Sequence, residues 1–120
     1  MIREEARRGD VAVLSIAGEY DAGETEKLAA AVDALVAKGS VRVAVSLEKL
    51  TFIDSTALGS FLRAQETLQR AGGDIACAAL SKFTAKNFHI LGLDQQVRCF
   101  PTLEDAAAWL GGKRDAGTAR

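Results

Sequence analysis

The sequence predicts a single α/β domain: a mixed β-sheet that opens with an N-terminal hairpin, continues mainly with parallel strands and carries helices chiefly on one face. Three observations predict it. Short β-branched runs alternate with stretches of helical periodicity. The connections between them are brief, so a helix that follows a strand acts as a crossover back to the sheet. And 120 residues, 48% hydrophobic and 26% charged, suffice for one well-filled core, whereas two would each be marginal.

The elements follow in chain order. Val11 to Ala17, VAVLSIA, alternates and is rich in β-branched residues, and Ile2 to Arg8 pairs with it as a short edge strand across Gly9-Asp10. After the turn GEYD, Asp21 and Glu24 make a D-x-x-E capping box ahead of Leu28, Val32, Leu35 and Val36 at helical spacing. Gly39 ends that helix. Val41 to Leu47 is the next strand, and Leu58, Phe61, Leu62, Gln65 and Leu68 line one face of a second helix that stops at Gly72-Gly73. Asp74 to Leu80 reads as a buried strand, although its three alanines weaken the pattern. Ser81 caps a short helix to Leu91, Val97 to Phe100 is a brief strand blocked by Pro101, and Thr102 to Asp105 opens a last helix ending at Leu110. The domain is expected to occupy residues 1–110, with 111–120 as a disordered tail.

Composition excludes several functions. Fifteen basic against sixteen acidic residues give a net charge of -1, which offers no field for nucleic acid. The N-terminus MIREEARRGD is charged, and no run approaches the ~20 apolar residues that cross a bilayer. The expectation is a cytoplasmic protein without a membrane partner. Cys77 and Cys99 lie in apolar runs without metal or redox spacing and read as reduced, partly buried thiols. With one histidine, His89, read as a surface or packing residue, the chain offers no metal site and calls for no cofactor. Neither Ser55 nor Ser81 sits in a GxSxG elbow, and Gly111 to Lys113 lacks the strand and helix of a phosphate loop. No enzyme is expected.

What remains is TFIDSTALGSFL, Thr51 to Leu62, which sets Asp54, Ser55 and Thr56 where the chain turns from strand to helix. Read locally, this is a helix N-cap, with Asp54 or Ser55 bonding the free N–H groups. A hydroxyl at such a turn is also held near the surface, where the positive end of the helix tolerates an oxyanion.

LEKLTFIDSTALGSFL resembles the signature of the STAS domain (sulfate transporter and anti-sigma factor antagonist): an apolar strand end, D-S-S/T-G-L-G, then an amphipathic helix. GEYD at Gly18 to Asp21, AGGDIACAAL and LGLDQQVRCFPTLEDAA resemble further parts of the family, so the likeness covers roughly residues 8 to 110. The resemblance implies a mixed sheet with helices on one side and a small bacterial switch protein, an anti-sigma factor antagonist that binds an anti-sigma factor/serine kinase and so regulates transcription. It implies phosphorylation at Ser55, with Thr56 as the secondary candidate, and removal of the phosphate by a serine phosphatase. Partner-binding residues would be Asp21, Asp54, Ser55, Thr56, Leu58 and Gly59.

One residue departs from the signature. Ala57 stands where the family has glycine, and its methyl is expected to obstruct the close approach of a partner's backbone. This keeps a second function in view, an unphosphorylated STAS scaffold or subunit of a signalling assembly or lipid-transport ATPase complex. A third, a nucleotide sensor, has only Lys49 and Arg63 as nearby cations. A monomer is expected, with a weak homodimer through the hairpin edge as the alternative.

Overall fold

The computed structural model describes the backbone of residues 1–118 and the side chains of residues 1–112. The alternating run VAVLSI forms β2 (Val11–Ile16), and the charged segment before it, β1 (Ile2–Arg8), turns back onto it as an antiparallel hairpin. The strands that follow in this sheet are all parallel: β2 pairs with β4 (Arg42–Ser46), β4 with β6 (Asp74–Ala78), and β6 with β7 (Arg98–Phe100). The order β1-β2-β4-β6-β7 gives a mixed five-stranded sheet whose parallel strands are joined by helices, as the periodicity predicted.

Alternation along the strands divides the core in two. Ala12, Leu14, Val43, Val45, Ile75 and Cys77 face α1 (Ala22–Ala37), α2 (Thr56–Arg70) and α3 (Lys82–Leu91) in the main cluster. Val11, Ala44, Ala76 and Ala78 point the other way, against Ala106 and Leu110 of α4 (Leu103–Thr118). Two of the three alanines that weakened the strand signal, Ala76 and Ala78, are therefore residues that let α4 lie close to the sheet. Next to α4, this face stays open in a groove of about 290 Å³ whose lining includes Val13, Ser15, Ser46 and Lys49.

Three expectations need correction. α4 runs past Leu110, through Gly111 and Gly112, into the segment expected to be a disordered tail, with residues 119–120 outside the described residues. Glycine inside a helix costs only about 1 kcal/mol relative to alanine, and Ala106 and Leu110 anchor the preceding turns in the core. On α2 the buried stripe is Ala57, Phe61, Ala64 and Leu68, while Leu58, Leu62 and Gln65 flank it half-buried. Gln65 spends its side-chain amide on the carbonyl of Gln96, 2.8 Å away. Finally, the segment read as a turn pairs with the strand end ahead of Asp54: β3 (Gly18–Tyr20) and β5 (Leu50–Ile53) form a separate two-stranded parallel sheet. Strands of three and four residues are too short for a period-2 signal to stand out.

Helices α1 and α2 end in the same way. In α2, Gly72 (φ +94°) donates to the carbonyl of Gln69 and Gly73 to that of Leu68, a Schellman pair. Gly39 (φ +83°) and Ser40 do the same for α1, through Val36 and Leu35. Gly73 has a second task, because the chain enters β6 directly beneath Val41. A Cβ on Gly73 would collide with the carbonyl oxygen and carbon of Val41, main-chain atoms that cannot swing aside. We predict that Gly73→Ala destabilises the domain by about 3 kcal/mol or more, at or beyond the upper end of ordinary overpacking, as read by urea denaturation. A loss below about 1 kcal/mol would show that the β4–β6 entry is pliable.

Candidate functional site

Pairing of β3 with β5 builds the site. Tyr20 is the register partner of Ile53, and the Asp54 N–H donates to the Tyr20 carbonyl at 3.3 Å. The residues that follow, Asp21 on one strand and Asp54-Ser55-Thr56 on the other, thus emerge from adjacent strand ends. The structure brings together the acidic turn and the hydroxyl turn that the sequence had kept apart by more than thirty residues.

Each acid caps its own helix. The Asp21 carboxylate accepts from the N–H groups of Gly23 (3.1 Å) and Glu24 (3.4 Å) at the start of α1. The return half of the expected capping box is absent: Glu24 instead meets the α-amino group of Met1 at 3.5 Å and Lys27 at 3.3 Å. At α2, Asp54 Oδ1 accepts from both the Thr56 N–H, at 2.9 Å, and the Thr56 hydroxyl. Ser55 occupies the N-cap position, yet its side chain makes no capping hydrogen bond. Of the two cap candidates, Asp54 does the capping. Ser55 and Thr56 are exposed, but Thr56 has its hydroxyl bound and Ser55 does not.

The remaining site residues divide by direction. Ala57 is fully buried in the main cluster, so its methyl faces the protein's own core and not an approaching partner. The expected obstruction does not arise, because the first inward position of α2 falls on residue 57. Leu58 is half-buried and packs against the same cluster. Gly59 is exposed, with nothing within 4 Å of where a Cβ would stand. Packing therefore does not require its lack of a side chain.

Two residues that the sequence did not mark hold the site from beneath. Tyr20 is fully buried and its hydroxyl lies 2.8 Å from Ser60 Oγ. Ser60 Oγ is in turn 3.0 Å from the Ala57 carbonyl, and its single proton goes there, so Tyr20 is the donor to Ser60. The chain Tyr20→Ser60→Ala57 ties the end of β3 to the first turn of α2. Ring contacts extend it, Tyr20 to Phe61 at 5.6 Å and Phe61 to Phe88 of α3 at 5.9 Å, each worth roughly 0.5–1.5 kcal/mol beyond area burial. A serine on the inner side of α2, one residue from Phe61, was the available clue to a buried polar partner.

The matched family model, described as "Mlab, STAS domain", covers residues 4–103. The chain belongs to the STAS domain family. It is 30% identical over 109 residues to the anti-sigma-F factor antagonist RsfB of Mycobacterium tuberculosis, covering 91% of this chain and 88% of the relative. Among solved structures, an anti-sigma factor antagonist from Mycobacterium paratuberculosis superposes with a TM-score of 0.77 at 26% identity, covering 92% and 94% of the two chains. The unphosphorylated form of the anti-sigma factor antagonist SpoIIAA shares the fold, with a TM-score of 0.76 at 23% identity over 93% of this chain and 97% of that one. Its phosphorylated form from Bacillus does so at 0.66, again at 23%, over 88% and 96%.

Burial pushes the Tyr20 hydroxyl from its ordinary value of 10.0 up to about 12, reinforced by the nearby carboxylates of Glu24 and Asp54. The folded state therefore prefers the neutral phenol. Its contribution is intact below pH 10 and is lost as the pH rises toward 12, at about 1.4 kcal/mol per pH unit. Because the chain has one tyrosine, phenolate absorbance reports Tyr20 alone. We predict a midpoint near 12 in the folded STAS domain that drops to about 10 in denaturant. A folded midpoint at 10 would contradict the buried donor role. The capping geometry makes a second prediction: Asp54→Ala costs about 1 kcal/mol of stability, whereas Ser55→Ala changes it by less than about 0.5 kcal/mol, both by thermal melting.

Proposed function

We propose that this chain is an anti-sigma factor antagonist controlled by phosphorylation at Ser55, which in its unmodified form binds an anti-sigma factor that is also a serine kinase. The observation that carries the reading is Ser55 itself: an exposed hydroxyl without a capping bond, at a helix N-terminus that Asp54 already caps. A kinase can reach it, and modifying it breaks no cap. Relatives named as anti-sigma-F factor antagonists, at 30% identity over most of the chain, support the same role.

The switch works through charge. A phosphate adds about -1.5 to -2 at neutral pH, beside Asp54 and the adjacent turn of Asp21. The helix dipole favours an anion there, so the folded domain tolerates the group. A partner closing over Ser55, Thr56, the edge of Leu58 and the bare backbone of Gly59 would have to bury that cluster without counter-charge. A serine phosphatase resets the state, with Thr56 as the secondary acceptor. The protein acts by binding and not by catalysis, in the cytoplasm; no helix among the described residues is long and apolar enough to cross a membrane. It works as a monomer, since charges along β1 and the irregularity between Glu5 and Arg8 blunt the free sheet edge.

A second reading, an unphosphorylated scaffold or subunit of a signalling assembly or lipid-transport ATPase complex, is kept in play by the matched family model, whose description names Mlab and not an antagonist. Parallel pull-downs from native cells with wild type, Ser55→Ala and Ser55→Asp separate the two. Under the switch, wild type and Ser55→Ala retain a kinase-like protein, Ser55→Asp binds it roughly 100-fold more weakly, on the order of 3 kcal/mol, and mass spectrometry finds phosphate on Ser55. Retention of the same partners by all three, with Ser55 never modified, would establish the scaffold instead.

A further inference from the structure

Cys77 and Cys99 are direct register partners on the neighbouring parallel strands β6 and β7. Twenty-two positions separate them in the sequence, and only the pairing of β7 with the sheet brings them side by side. Both point to the face covered by α1, α2 and α3: Cys77 is fully buried in the main cluster, and Cys99 is half-buried against it. Both are free thiols. Neighbouring strands run about 4.8 Å apart, inside the range of about 4.4–6.8 Å that disulfide Cα atoms span.

The two thiols are unlike in access and reactivity. Cys99 lies on the outermost strand, which has three residues and pairs on one side only. Its thiol is held below the usual range by its interaction with the Cys77 thiol, against the opposing effects of burial and of the Asp94 charge. Cys77 is held well above the usual range by the same interaction and by burial. One thiol is thus suited to attack and the other to follow, within reach of it.

We infer that Cys77 and Cys99 form a modification site at which a low-molecular-weight disulfide oxidises the pair to an intramolecular disulfide. The Cys99 thiolate attacks one sulfur of the reagent RSSR, forming Cys99–S–S–R and expelling RS⁻. Cys77 then gives up its proton, and its thiolate attacks Cys99 Sγ and expels the second RS⁻. Two protein thiols and one RSSR become one protein disulfide and two RSH, so atoms and electrons balance. In-register side chains on parallel strands stand side by side, and bonding them requires β7 to shift toward β6. A three-residue edge strand can make that shift, and the resulting strain keeps the bond easily reduced. The change reaches both sides of the sheet. Cys77 shares the main buried cluster with Tyr20, and the residue after Cys99, Phe100, packs on Trp109 at 5.7 Å.

The experiment treats the folded protein with glutathione disulfide and follows free thiols, intact mass and the emission of Trp109, the only tryptophan. The expected result is loss of both free thiols, a mass lower by two hydrogens, a peptide joining Cys77 to Cys99, a rate independent of protein concentration, a shift in Trp109 emission, and full reversal by dithiothreitol. Cys77→Ala, which keeps a small apolar residue in the core, should stop at the mixed disulfide on Cys99. Cys99→Ala should leave Cys77 unreacted. Wild type that halts at the Cys99 mixed disulfide, keeps both thiols, gives only cross-linked dimers, or forms the bond only in denaturant would overturn the inference.

Discussion

The arrangement of the site depends on a pairing of seven residues, β3 with β5. The five-stranded sheet and its helices make a stable frame, but nothing in that sheet brings Asp21 to Asp54. That is done by the register Tyr20↔Ile53 and the bond from the Asp54 N–H to the Tyr20 carbonyl. A two-stranded sheet of this length is not stable by itself; this one persists because Tyr20, Leu50 and Ile53 are buried in the main core. Its exposed continuation is therefore held by the interior, and the two acidic turns are presented on a rigid base.

Tyr20 shows how that base is kept rigid. Its ring contributes to the aromatic row with Phe61 and Phe88, while its hydroxyl satisfies Ser60, whose own proton goes to the Ala57 carbonyl. A buried phenol with its donor used is accommodated in a core. The same bond fixes the first turn of α2 directly below Ser55. Packing and positioning are carried by one side chain, so the site's geometry is as stable as the core itself.

Much of this was legible in the sequence. The β-branched runs, the Gly39 and Gly72-Gly73 stops and the Ser81 cap all correspond to observed elements, since each rests on local chemistry that tertiary contacts do not overrule. The placement of Asp54, Ser55 and Thr56 at the start of α2 was equally legible, because an acid and two hydroxyls before an amphipathic helix are conspicuous. Three things were hidden, for distinct reasons. β3 and β5 are too short to show alternation. Tyr20 lies inside a stretch that reads as a turn, and its partner Ser60 is a long-range contact. The direction of Ala57 depends on the rotational phase of α2, which the strong Leu58, Phe61, Leu62 and Leu68 pattern sets only to within one residue. The helix took the phase that buries Ala57, Phe61, Ala64 and Leu68.

That phase decides how an exposed N-terminal turn and a buried core share one helix. With Ala57 inward, Ser55 and Gly59 are left outside, one at the N-terminus and one a turn along. An alanine in the family's glycine position is then a core substitution: it fills space next to Phe61 and favours the helix by about 1 kcal/mol, while the outer surface is unchanged. Glycine at position 59 is the complementary case. It weakens the helix by a similar amount in open space, where packing asks for nothing. A chain that gains helix stability at an inward site and gives it up at an outward one is bearing a cost where the surface, and not the fold, has the requirement. Under the proposed switch, the bare backbone of Gly59 beside Ser55 is what a partner would meet at close range, a feature of this surface that stands apart from the serine.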